Sequence, residues 1–114
     1  METIYCLVPA DYWAQFDDKA EYYPRDYEQA GFIHATKGDE LLSKVANRVY
    51  ADFAGELLVL VIDEARVSSQ VKYEEAKDGR LYPHIYGPLN LDAIREVKRM
   101  SRMQGSWQIG SDNS

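Results

Sequence analysis

A single cysteine, Cys6, in 114 residues leaves no partner for an intrachain disulfide and no multi-cysteine zinc site, and it favours a reducing compartment. Long apolar runs are missing too. No stretch approaches the roughly 20 consecutive apolar residues that a membrane-spanning helix needs. Met1 to Pro9 has no basic lead, extended apolar core or small-residue cleavage site, so the expectation is a cytoplasmic monomer without a secretory signal. Positive charge is in deficit, with 13 Lys and Arg against 19 Asp and Glu and a net charge of -6, which argues against a phosphate-gripping nucleic-acid surface. The local basic group Arg95, Lys98, Arg99 and Arg102 reads as a solvated face. Glycine-rich phosphate loops, Gly-x-Ser-x-Gly elbows and helical zinc motifs are also lacking. Histidine occurs only twice, and each copy sits in an apolar run: Gly31-Phe32-Ile33-His34-Ala35-Thr36 and Leu81-Tyr82-Pro83-His84-Ile85-Tyr86-Gly87-Pro88.

What is present describes one globular domain. Apolar residues make up 46% of the chain, enough for a core at this length and too many for a disordered chain. The expected domain covers residues 1–103, followed by a flexible tail over 104–114, where Gly, Ser and Asn surround a lone Trp107. Thr3 to Val8 reads as a strand ended by Pro9, with Cys6 facing the same way as Ile4 and Val8. Tyr12, Trp13 and Phe16 follow at helical spacing. A short helix within Arg25 to Ala30 is closed by Gly31, and Phe32 to Ala35 is a strand. Thr36 and Asp39 resemble a capping box opening the longest helix, whose Leu42, Val45, Ala46, Val49 and Phe53 recur at 3.6-residue spacing before Gly55. Leu57 to Ile62 is a continuous aliphatic run suited to a strand buried on both faces. Val71 to Glu74 and Leu81 to Tyr86 form a hairpin across the Asp78-Gly79 turn. Leu89 to Ile94 is a helical turn, and Ile94 to Met103 an edge strand. The order predicts an α+β domain with mostly antiparallel pairing.

Strand alternation puts Phe32 and His34 on one face with Ile33 and Ala35 opposite, and sets His84 and Tyr86 against Ile85. Each imidazole can therefore look into a cleft while its isoleucine enters the core. For one such histidine a structural hydrogen bond is the simpler reading. Two in similar contexts, flanked by Tyr82, Tyr86 and Gly87, bring a functional reading level with it. His34, His84 and a carboxylate would supply an open three-ligand metal set, but no metal-ligand spacing is present and no metal is expected. Tyr73 and Glu75 share one strand face and Glu74 the other; Glu74 is a candidate acid or a solvated charge. Arg48, on the polar side of the long helix, holds a phosphate or simply faces solvent. Cys6, between Ile4 and Val8, reads more readily as a small buried side chain than as a nucleophile.

These motifs resemble a known family, domain of unknown function 952. The resemblance runs from Ile4-Tyr5 and Trp13 through the Gly31 to Thr36 motif, Ala46-Asn47-Arg48, Leu58 to Asp63 and Lys72-Tyr73-Glu74, to Pro83 to Leu89. It implies a likeness to the ADP-ribosyltransferase superfamily, particularly its RNA 2′-phosphotransferase branch, and so a split sheet around a nicotinamide dinucleotide (NAD). On that likeness His34 matches the second-strand residue that grips the cofactor's ribose, and Cys6 falls near the first, where related sequences often carry His or a basic residue. The implied catalytic set is His34, Glu74 and His84. The implied cofactor-binding set is Cys6, His34, Thr36, Arg48, Tyr73 and Tyr86, with Tyr73 or Tyr86 as the nicotinamide wall. Glu74 would act as the acid, and His84 as general base or phosphate ligand. Because cysteine lacks the donor strength of histidine at the first position, the competing expectation is a non-enzymatic ligand-binding or interaction module that keeps the fold without the chemistry.

Overall fold

The computed structural model describes residues 2–16, 19–103 and 105–109. β1 (Thr3–Pro9) begins the chain, and Pro9, at φ -61°, leads into the short helix α1 (Ala10–Trp13) and a tight turn to Phe16. β2 (Glu21–Tyr22), α2 (Tyr27–Ala30) and β3 (Ile33–His34) follow. Gly31 ends α2 at φ 84°, a left-handed conformation that only glycine adopts without strain. After α3 (Asp39–Val49) come β4 (Leu57–Asp63), the hairpin β5 (Gln70–Glu75) and β6 (Leu81–Tyr86), β7 (Leu89–Asn90), β8 (Ile94–Met103) and β9 (Ser106–Ile109). All strand pairings are antiparallel, so the chain is a mixed α/β fold with few helices.

The strands form a four-stranded sheet, β1-β4-β8-β9, a three-stranded sheet, β3-β6-β5, and the small pair β2-β7. One rung joins the two larger sheets: the Tyr5 N–H donates to the Thr36 carbonyl at 2.8 Å, and the Thr36 N–H to the Tyr5 carbonyl at 2.9 Å. β4 lies between β1 and β8, as its aliphatic run requires. Its alternation divides the interior in two. Leu60 and Ile62 join Ile4, Cys6 and Val8 against Ile33 and Ile85, whereas Leu57, Val59 and Val61 join Leu42 and Ala46 of α3 with Met100 and Trp107. Each fully buried aliphatic side chain contributes roughly 1.5–3 kcal/mol relative to exposure.

Three local readings are corrected. The helix starts at Asp39 behind Gly38 (φ 101°), because Thr36 is committed through both backbone groups to β1 and cannot cap it. It ends at Val49, short of Phe53 and Gly55; its last carbonyl region is satisfied from outside, where Arg102 donates to the carbonyls of Tyr50, Ala51 and Phe53. Finally, Ser106–Ile109 is a strand, and β8 is therefore an interior strand. Trp107 is buried, its indole N–H donating to the Tyr50 carbonyl at 2.8 Å, while Asn47 receives its backbone N–H at 2.7 Å. Of the expected tail, residues 104 and 110–114 lie outside the described residues.

Candidate functional site

β6 is the middle strand of its sheet, and its register places His84 directly opposite His34 on β3 and Lys72 on β5. Period-two alternation sends Ile33 and Ile85 into the core and leaves both imidazoles on the other face. Their rings are 5.4 Å apart, edge to face. Phe32 stacks on His84 at 4.1 Å and meets His34 edge-on at 4.6 Å, so the two imidazoles share one aromatic wall. Glu74 reaches along the sheet to bring Oε1 to 2.7 Å from His84 Nδ1, and the Tyr86 hydroxyl donates to the same oxygen at 2.5 Å.

The charges follow from these contacts. The Tyr86 hydroxyl and the His84 ring hold the Glu74 carboxyl below its ordinary pKa, and Glu74 raises that of Tyr86 in return. An ionised carboxylate only accepts, so a neutral His84 must carry its proton on Nδ1 and present Nε2 as the basic nitrogen. Partial burial penalises the imidazolium of His34 and lowers its pKa; Asp26 opposes that shift and neighbouring His84 adds to it. One imidazole is thus oriented as a proton acceptor beside another that favours its neutral form.

Both histidines line a cavity of about 590 Å³. Tyr5, Cys6, Leu7 and Thr36 form the wall along the sheet junction, and Val45, Arg48, Val49 and Tyr50 come from the end of α3. Tyr22, Pro24 and Asp26 close one side; Glu75 to Lys77 and Tyr82 close another. A volume of this order suits a small organic ligand. Burial raises the Cys6 thiol to about 12, and its Sγ–H donates to the His34 carbonyl at 3.4 Å. It is a neutral wall group that tethers β1 to β3.

Of the residues singled out in the sequence, His34, His84, Cys6, Thr36 and Arg48 surround one cavity. Glu74 and Tyr86 join them through His84. Tyr73 stands apart, on the other face of β5, where its hydroxyl donates to Glu64 at 2.5 Å and its ring lies 5.5 Å from the Lys37 ammonium. Among the described residues no three His, Cys, Asp or Glu side chains gather as metal ligands. Phe32, Asp26 and Tyr82 were not among the candidates. Phe32 was visible through its alternation with His34, but the other two depend on contacts between distant elements.

Similarity to solved structures covers nearly all of this architecture. A crystal structure of protein CC0527 from Caulobacter crescentus matches with a TM-score of 0.82 at 20% identity, over 93% of each chain. A solution NMR structure of CC0527 matches with a TM-score of 0.77 at 20% identity, over 95% of this chain and 92% of that one. At such identity the likeness concerns the fold alone. No curated protein matches the chain. The family model described as "Protein of unknown function (DUF952)" matches residues 7–97, which include both histidine motifs, and the chain belongs to that family.

Proposed function

We propose that the cavity binds a small nucleotide of the nicotinamide dinucleotide class and that His34 and His84 act on its ribose, in a site of ADP-ribosyltransferase type. The observation that carries this reading is the meeting of two imidazoles at one cavity, one of them oriented by a carboxylate. In that reaction the ribose C1′–nitrogen bond breaks and nicotinamide leaves with the electron pair, positive charge develops on the ribose, and the hydroxyl that then bonds to C1′, from water or an acceptor, gives up a proton. His84, with Nδ1 tied to Glu74, offers Nε2 for that proton; His34 holds a ribose hydroxyl; the Phe32 ring walls the pair. Glu74 then acts through His84, as a positioning residue. Thr36 and Tyr50 complete the wall.

A second reading keeps the ligand and drops the chemistry. It is favoured by Cys6, whose sealed thiol gives β1 no strong donor at the cavity. Calorimetric titration with NAD, ADP-ribose and nicotinamide, on the wild type and on His34→Ala and His84→Ala, tests both. Binding by the wild type, weakened about tenfold in each variant, is expected from the loss of a buried hydrogen bond. Release of nicotinamide on incubation distinguishes enzyme from module. Failure of the wild type to bind any of the three ligands overturns the nucleotide reading.

A further inference from the structure

The cavity has a second polar centre besides the imidazoles. Tyr82 and His84 alternate onto the same face of β6, two residues and so about 7 Å apart along the strand. The Tyr82 hydroxyl donates to Asp78 Oδ2 at 2.6 Å, and the Arg80 N–H fixes that carboxylate through its other oxygen at 2.9 Å. Arg48, in the last turn of α3, lines the same cavity as Tyr82, and its charge acts on that hydroxyl and on Asp78. Its guanidinium carries five donors in a planar fork. Among the described residues no carboxylate stands within 4.0 Å of it to form an ion pair.

The backbone on both sides of Arg48 is also pinned. Asn47 Nδ2 donates to the Trp107 carbonyl at 3.1 Å and Asn47 Oδ1 accepts the Trp107 N–H at 2.7 Å, while the Tyr50 carbonyl accepts the indole N–H at 2.8 Å. A cation that merely complemented the helix dipole would need neither this clamp nor the tyrosine. Two acids also line the cavity, and they decide where an anion goes. Asp26 acts on His34, which makes the imidazole end unwelcoming to an oxyanion, whereas Arg48 and Lys77 put two cations at the other end against Glu75 and Asp78.

We propose that Arg48, beside Tyr82 and Asp78, is a phosphoryl subsite, so that the ligand is a phosphorylated small molecule with its oxyanion at the Arg48 end of the cavity and its sugar at His84. One cavity lined by Arg48, Tyr82 and His84 suits a sugar bearing its own phosphate. The assignment rests on the nucleotide reading only for the identity of the sugar, since the oxyanion subsite stands or falls by itself.

Sodium pyrophosphate titrated into the full chain, followed by amide and guanidinium NMR signals, tests it, with sodium acetate at matched ionic strength as the control. Saturable shifts at Arg48 and Tyr82 with pyrophosphate and not with acetate are expected. Arg48→Gln raises the pyrophosphate Kd about tenfold or more, and Arg48→Lys, which keeps the charge and loses the fork, falls between. Equal shifts with acetate, shifts scattered over surface lysines, or an unchanged Kd in a folded Arg48→Gln protein overturn the subsite. If pyrophosphate binds at Arg48 while NAD and ADP-ribose do not bind the wild type, the nucleotide reading fails and the subsite stands. If the dinucleotide binds and is indifferent to Arg48→Gln, the subsite fails and the nucleotide reading stands.

Discussion

His84 shows how much one contact constrains. With Glu74 removed, nothing in the cluster obliges its proton to stay on Nδ1, and the basic nitrogen need no longer face outward. Glu74→Gln should therefore shift the neutral His84 population toward a mixture of tautomers, because an amide can donate to Nδ1 as well as accept from it. Nitrogen-detected NMR of the two histidines reads this change; an unaltered tautomer for His84 would show that Glu74 does not orient it. Tyr86→Phe, which keeps the ring and removes one donor from Glu74, should change the tautomer less. At this scale the sequence was informative where alternation settles the answer. Phe32, His34, His84 and Tyr86 face together because they are two residues apart in pairs, and the same rule already separated Tyr73 from Glu74. Arg48, Tyr82 and Asp78 were individually visible, but their meeting joins a helix to a hairpin turn, and no periodicity encodes it.

Among the elements, β9 is the one that composition concealed. Four residues among Gly, Ser and Asn carry little strand signal, and what holds them lies far away in sequence: Asn47 and Tyr50 bind Trp107, and the Arg102 guanidinium lies 4.3 Å from its ring. β4, β5 and β6 were legible for the opposite reason, since aliphatic runs and an Asp-Gly turn are local signals. The start of α3 is hidden in the sequence because Thr36 resembles a cap, and its backbone partner on β1 is distant along the chain. Trp107→Ala tests how far β9 belongs to the fold. Loss of a nearly fully buried indole, and of the contacts around it, should cost about 3 kcal/mol in urea unfolding. A loss below about 1 kcal/mol would mean that the strand is only appended to the domain.

The whole molecule responds to pH through groups whose folded values depart from their ordinary ones. The folded pKa of His34 lies below 6.5, so the unfolded chain binds more protons in the window beneath that value, and stability is lost as pH falls through it. Glu74 and Asp78, held below 4.5 and 3.8, add stability above those values and lose it on further acidification. On the alkaline side burial lifts Cys6 from 9.0 to about 12 and Tyr5 from 10.0 to about 12, so the folded state retains protons that the unfolded state releases, and stability falls as pH rises through this range. A plateau between about pH 6.5 and 9 follows, and urea unfolding at about pH 5, 7.5 and 10 should trace it. Cys6→Ala should flatten the alkaline limb; an identical limb would assign the loss to the tyrosines instead.

The clamp between Asn47 and Trp107 also sets an order in time. Its two halves are 60 residues apart, and closing so long a loop before any local reward is entropically slow. The β5–β6 hairpin, whose ends are near neighbours, forms Tyr82 and its Asp78 support early and on its own. The backbone flanking Arg48 gains its clamp when β9 arrives. The Tyr82–Asp78 half of the oxyanion subsite is therefore local to one hairpin, whereas both the guanidinium and the pairing of His84 with His34 wait on long loops, and a partly folded chain has neither end of its cavity complete.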